Sequence, residues 1–229
     1  MTVNLTHQKG GTGKSTLSYN LAMAFKLLGY KVRLLDLDIQ DTCVSINEQR
    51  ETPLDYIINI KNEQEFIEYI NDTKEDEINI VDSGGFDSNI TRLAIMGADI
   101  NLTPVADKVT ELLAVVKKYS VILEDIANET EDEIKSYVIL NNIHSFATKF
   151  SHIENIFKEQ ERMELLSTIT KGENGLNKIP FTVRTRGIYD KSLIDGKTVQ
   201  EAANLTGNKE ASAEMEKLAK TLINLHLQG

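Results

Sequence analysis

Two lysines frame the run Gln8-Lys9-Gly10-Gly11-Thr12-Gly13-Lys14-Ser15-Thr16-Leu17, and together they point to more chemistry than either does alone. A glycine-rich turn followed by Lys-Ser-Thr is a P-loop pattern. The backbone N–H groups of Gly11 to Ser15 can form a concave nest for phosphate oxygens at the N-terminus of a helix. Lys14 would reach the outer phosphates of a nucleoside triphosphate, and Ser15 would present its hydroxyl to Mg²⁺. Lys9 lies on the strand side of the loop, where its own chain cannot easily fold it back onto those phosphates. It is free to reach a second molecule.

Two later segments supply carboxylates. Residues 32–40 read as a buried strand ending in Asp36 and Asp38, and residues 77–85 as an apolar strand that delivers Asp82 into a glycine turn. Parallel strands buried on both faces read as near-continuous apolar runs, and ligands bind beyond their carboxyl ends. Asp36 and Asp38 therefore point toward the nucleotide crevice, although plain capping of the next segment also suits them. The second segment looks like a Walker B motif, in which Asp82 would hold Mg²⁺ through a bound water, because Mg²⁺ keeps several waters and takes few protein carboxylates. Gly84 and Gly85 would let the backbone approach the γ-phosphate and move when it leaves, a structural turn being the plainer alternative.

These residues need elements to hold them. Residues 2–7 form a short apolar-alternating strand, and Leu17, Leu21, Ala24, Phe25 and Leu28 repeat at helical spacing up to Gly29. Asp87 and Ser88 would cap a helix running through Met96. Strands follow at 100–104, 137–141 and 177–183, with helices at 107–128, 150–166 and 211–227. This alternation predicts an α/β fold, doubly wound, with a mostly parallel sheet flanked by helices in one domain over residues 1–229. Residues 71–77 and 128–135 read as solvated turns.

The run Lys9 to Thr16 resembles the deviant Walker A motif of the ParA/MinD family of ATPases, whose signature lysine crosses a dimer interface to the partner's nucleotide. The resemblance covers nearly the whole chain, residues 42–76 carrying little of it, and residues 189–199 resemble the small plasmid-partition ParA proteins more than MinD. It implies that ATP and Mg²⁺ are bound by Lys9, Gly10, Gly11, Thr12, Gly13, Lys14, Ser15 and Thr16, with Lys9, Lys14 and Asp38 serving hydrolysis. Asp38 matches the family carboxylate that positions the attacking water; Asp36, with Ser15 and Asp82, matches the Mg²⁺ shell. Ile39 stands where the family has proline. Asn141 matches a position that reads the adenine edge, which an amide can do with one donor and one acceptor, and a turn-forming role for Asn141 and Asn142 fits nearly as well. Residues 179–186, with Pro180, resemble the late strand that flanks the base and then feeds a basic loop.

Composition narrows the setting. Cys43 is the only cysteine, which leaves no disulfide framework and no cysteine pair for an iron–sulfur cluster like that of the nitrogenase iron protein. A strand starting at residue 2 leaves no signal peptide, and no apolar run nears membrane-spanning length, so a cytoplasmic protein is expected. His7, His144 and the other histidines lack metal-ligand spacing and read as packing or surface residues. The resemblance implies an ATP-bound, nucleoid-associated homodimer that binds DNA without sequence preference and is stimulated by a ParB-like adaptor. The net charge of −10 opposes that. Local charge counts for more, however, with a Debye length of ~8 Å at physiological salt. Arg184, Arg186, Lys191 and Lys197 cluster in sequence, with Lys209, Lys217 and Lys220 on the final helix. No helix-turn-helix precedes the ATPase motifs, so operator reading is not expected.

Two other functions fit the motifs. A MinD-like protein positions assemblies at a membrane surface, but the stripe Ala211, Met215, Leu218, Leu222 and Leu225 ends without Lys or Arg and reads as core packing, so no membrane contact is expected. A metabolic ATP-dependent ligase of the same fold, such as dethiobiotin synthetase, has no use for a trans-acting Lys9.

Overall fold

Near-continuous apolar runs build a sheet that is covered on both faces. The computed structural model describes residues 1–130, 134–144, 147, 151–161, 182–202, 205 and 207–228. Its strands are β1 (Thr2–Leu5), β2 (Lys31–Asp36), β3 (Ile57–Asn59), β4 (Glu77–Asp82), β5 (Ile100–Val105) and β6 (Ser136–Leu140). They lie in the order β3-β2-β4-β1-β5-β6, and all five pairings are parallel. The helices are α1 (Lys14–Leu27), α2 (Thr42–Glu48), α3 (Glu63–Asn71), α4 (Asn89–Met96), α5 (Val109–Ala114), α6 (Ser120–Thr130), α7 (Ser151–Glu159), α8 (Gly187–Ile194) and α9 (Asn208–Gln228).

Adjacent strand residues point to opposite faces, and the cores divide accordingly. Leu34 and Ile80 join Leu17, Leu21 and Phe25 of α1 and Met215, Leu218 and Leu222 of α9 in one core. Leu35 and Val81 face the other way, onto Phe66 of α3 and Ala94 of α4. Val138 and Leu140 pack with Leu112, Tyr119 and Phe157. The α9 stripe is therefore core: Ala211, Met215, Leu218 and Leu222 are all fully buried. Among the described residues no helix is long and apolar enough to cross a membrane.

Topology sets the site. From β1 the chain moves to β2 and β3 on one side, returns through β4, and crosses to β5 and β6 on the other side. The crevice at the carboxyl ends of the strands opens at this reversal. Register then aligns the turns, because Asp82 pairs laterally with both Leu5 and Asp36. The chain leaves β1, β2 and β4 at one level.

Several elements differ from the sequence reading. The weakly patterned stretch 42–76 holds α2, β3 and α3, and α8 was not foreseen. The helix expected over 107–128 is interrupted by a π-helical turn at Val115–Tyr119, which turns Val115, Val116 and Tyr119 inward. Of the helix expected at 150–166, Ser151–Glu159 is helical as α7, and residues 150 and 162–166 lie outside the described residues. Of the strand expected at 177–183, only Thr182 and Val183 are described, and Pro180 lies outside the described residues. The neighbouring Arg184 makes an isolated parallel bridge with Ile143.

Candidate functional site

The P-loop connects β1 to α1. Gly13 caps the helix in the left-handed region, at φ 89°, which only glycine adopts freely. No side chain caps α1, so its first N–H groups are available to a ligand. They border a cavity of about 510 Å³ lined by Gly10, Lys14, Ser15, Asp38 and Gly85, among others. A Cβ on Gly85 would lie 3.2 Å from the Gly10 nitrogen, so the turn after β4 passes close against the P-loop. Lys14 is buried, and its Nζ donates a long bond of 3.5 Å to the Lys9 carbonyl. Burial pulls its pKa down, opposed by Asp82 and Asp38. Thr12 Oγ1 is buried without a partner among the described residues. Uncapped N–H groups and a desolvated ammonium fit phosphate oxygens.

The carboxylates stand beside this nest. Asp82 is buried; its Oδ1 accepts from the Ser18 hydroxyl (3.1 Å) and its Oδ2 from the Cys43 thiol (3.3 Å). Burial pushes its pKa up, and a Ser15 hydroxyl bond pulls it back. Asp36, also buried, is pushed up to about 7 by burial and by Asp82. Its Oδ2 accepts the N–H groups of Cys43 (2.8 Å) and Val44 (3.1 Å), and its Oδ1 that of Asp38 (3.1 Å). Asp36 thus caps α2 and stands behind Asp82. Two adjacent buried carboxylates with a serine hydroxyl suit a hard divalent cation. Among the described residues no cluster of three or more His, Cys, Asp or Glu side chains can hold a metal, so Mg²⁺ here would take most of its ligands from phosphate and water. Asp38 is half-buried on the cavity wall, its Oδ1 accepting from the Gln40 N–H at 3.0 Å. Lys9 sends its Nζ 3.1 Å to Thr110 Oγ1 on α5.

A second cavity, of about 360 Å³, opens on the other side of the P-loop between Gly11–Gly13 and the segment 183–190. Asn141 lines it and donates from Nδ2 to the Thr12 carbonyl at 2.9 Å. Asn142 takes φ 56°, so the turn role falls to it while Asn141 braces the P-loop.

The model of the CobQ/CobB/MinD/ParA nucleotide binding domain matches residues 3–190. This chain belongs to that family. Solved structures with the same fold include McdA of Cyanothece in an ATP complex, at TM-score 0.64 and 15% identity, with 96% of this chain and 95% of that chain covered. MinD of Pyrococcus horikoshii with Mg-ADP superposes at TM-score 0.62 and 14% identity over 99% of each chain. A ParA family ATPase of Chlorobium tepidum gives TM-score 0.59 and 15% identity over 95% of this chain and 96% of that one. Among curated proteins, the iron–sulfur cluster carrier protein of Aquifex aeolicus is 64% identical over 31 residues, 14% of this chain. The chain spans only 8% of that relative's length in the match.

Within this family frame, the basic cluster expected for DNA divides. Arg184 donates from Nη1 to the carbonyls of His144 (3.0 Å) and Ala147 (2.9 Å), and Arg186 pairs with Glu214 of α9 at 2.8 Å. Both arginines are engaged within the chain and line the second cavity, Arg186 keeping 26% of its side chain exposed. Lys191 stays exposed, and Lys197 makes only a loose surface pair with Asp195 at 3.8 Å. Two site residues escaped the sequence reading. Cys43 sits between the Ser15 carbonyl (3.6 Å) and Asp82, and nothing in its spacing signalled that. Glu214 carries no motif, and its partners lie 25 to 30 residues away in sequence.

Proposed function

We propose that this chain is an ATP-hydrolysing switch that dimerises on ATP and partitions a DNA cargo, releasing ADP and phosphate as it resets. The observation that carries this reading is the divided labour of the two lysines. Lys14 is buried against the phosphate cavity, whereas Lys9 leaves its own chain's cavity and rests on Thr110. A lysine so placed can serve the phosphates of a second copy.

In this reading the α1 N-terminus and Lys14 bind the phosphates, Ser15 and Asp82 hold Mg²⁺ with Asp36 behind them, and Asp38 orients the attacking water. Bound Mg²⁺ would offset charge on the phosphate oxygens. The nucleoside occupies the cavity that Asn141 and residues 183–190 enclose. The ATP complex of Cyanothece McdA and the Mg-ADP complex of Pyrococcus horikoshii MinD support nucleotide and metal as ligands. DNA contact rests on Lys191 and Lys197, doubled in the dimer, with an adaptor of the ParB kind stimulating hydrolysis.

The test uses Asp38→Ala to block hydrolysis while keeping binding, since orienting water is a transition-state task. Light scattering should show an ATP-dependent dimer, and adding Lys9→Ala should return it to monomer. Equal dimer in both would remove the trans-lysine role. Binding of the ATP-loaded Asp38→Ala dimer to unrelated duplexes should weaken by about 0.9 log units per log unit of salt for each phosphate contacted. ATP-dependent binding to anionic liposomes, with none to DNA at low salt, would replace partition by membrane positioning.

A further inference from the structure

We propose that Glu214 on α9 is a positioning residue that shapes the wall of the second cavity, so that affinity for the base half of a nucleotide depends on the last helix. The proposal rests on the nucleotide reading above.

Glu214 gathers four bonds from a short stretch of chain. Its Oε1 accepts from Arg186 Nε at 3.2 Å and from Arg186 Nη2 at 2.8 Å. Its Oε2 accepts from the Tyr189 hydroxyl at 3.1 Å and, weakly, from the Arg184 N–H at 3.4 Å. All three residues line the cavity opposite the P-loop. On the sheet side this stretch is held by backbone bonds around Ile143: Ile143 N to Val183 O at 3.1 Å and Thr185 N to Ile143 O at 2.9 Å. Glu214 supplies the hold on the helix side.

The post itself is firm. Ala211, Met215 and Leu218 of the same helix are fully buried, so α9 cannot shift without opening the main core. Glu214 keeps only 13% of its side chain exposed. Charge-assisted bonds at such a site are stronger than neutral ones, and removing the acceptor leaves Arg186 and Tyr189 without it. None of the four bonds goes to the phosphate cavity. The coupling is therefore to the base side alone.

The test compares two probes, ATP and inorganic tripolyphosphate, each with Mg²⁺, by titration calorimetry on the full chain. Glu214→Gln keeps the size of the side chain and removes its charge. ATP affinity should fall about tenfold and tripolyphosphate affinity should stay as in the parent. Tyr189→Phe, which removes one donor of four and keeps the ring, should lower ATP affinity by a smaller factor and again spare tripolyphosphate. Equal losses for both probes would mean general loosening and overturn the proposal. Unchanged ATP affinity in both variants, with the parent binding ATP, would overturn the role of Glu214 alone. A parent that binds no ATP would overturn the nucleotide reading and this proposal together.

Discussion

His7 ends the strand that enters the P-loop, fully buried, with neither ring nitrogen partnered within the described structure. Its pKa is lowered from 6.5 to about 4, chiefly by burial, with Lys14 and Lys9 acting in the same direction and Glu111 opposing them. The folded chain therefore takes up this proton less readily than the unfolded chain. Its penalty is nearly absent above pH 7, grows as pH falls from 6.5 toward 4, and is complete below about 4. With these two values the cost is about 2 kcal/mol at pH 5, against roughly 0.2 kcal/mol at pH 7, with a limit of roughly 3 kcal/mol. His7→Asn abolishes the titration. It also changes packing, but that cost is common to both pH values and cancels when the two are compared. Urea unfolding of parent and variant at pH 7 and pH 5 should shift their stability difference by about 2 kcal/mol in favour of the variant at the lower pH. A difference that does not move with pH would refute a buried neutral imidazole. A shift toward the parent would mean that His7 gains a partner as a cation in the fold.

Lys14→Ala should abolish ATP binding by calorimetry while leaving the urea midpoint near or above that of the parent, because a buried ammonium leaves with it; parent-like ATP binding would displace the phosphate site. Gly13→Ala forces a side chain into φ 89° with its Cβ 2.5 Å from Asn141 Nδ2. It should cost about 1–2 kcal/mol from backbone strain alone and weaken ATP binding as the brace to Thr12 shifts, measured by unfolding and calorimetry. Gly196→Ala, at φ 66°, places a Cβ 2.6 Å from the Ile46 carbonyl and from Arg50 Cγ. A loss of about 2 kcal/mol or more is expected in thermal unfolding, and no loss would mean that this turn relaxes freely.

What was legible in the sequence follows how local each determinant is. The P-loop, the Asp36 strand and the Asp82 strand each carry their own signal, an apolar run that stops at a charged or glycine turn, and the parallel sheet follows from their alternation with helices. Helix α2 carries no such signal. Asp41, at its start, sits at φ 47° and makes no side-chain cap; the capping oxygens come from Asp36 on β2. The three residues of β3 are too few to display a period. Helix α3 was readable: Asn62 accepts from the Glu65 N–H at 3.0 Å, and Glu65 accepts from the Lys61 N–H at 2.8 Å, a variant of the capping box that an Asn-x-x-Glu search would find.

The two halves of the site differ in the same way. The cavity beside Lys14 is made where β1, β2 and β4 end side by side, so the residues that follow each strand meet by register alone. The second cavity depends on contacts across the chain: Asn141 reaches Thr12 at 2.9 Å, and Arg186 reaches Glu214 at 2.8 Å. Sequence proximity among Arg184, Arg186, Lys191 and Lys197 revealed a cluster of positive charge, but the acid that claims Arg186 comes from another helix. Charge clustering in a sequence counts cations and is silent about acceptors brought in by the fold. Of these four, Arg186 is paired with an acid and Lys197 loosely so, whereas Arg184 bonds neutral carbonyls and Lys191 is exposed, so the positive charge left after folding is smaller than the count of cations suggests.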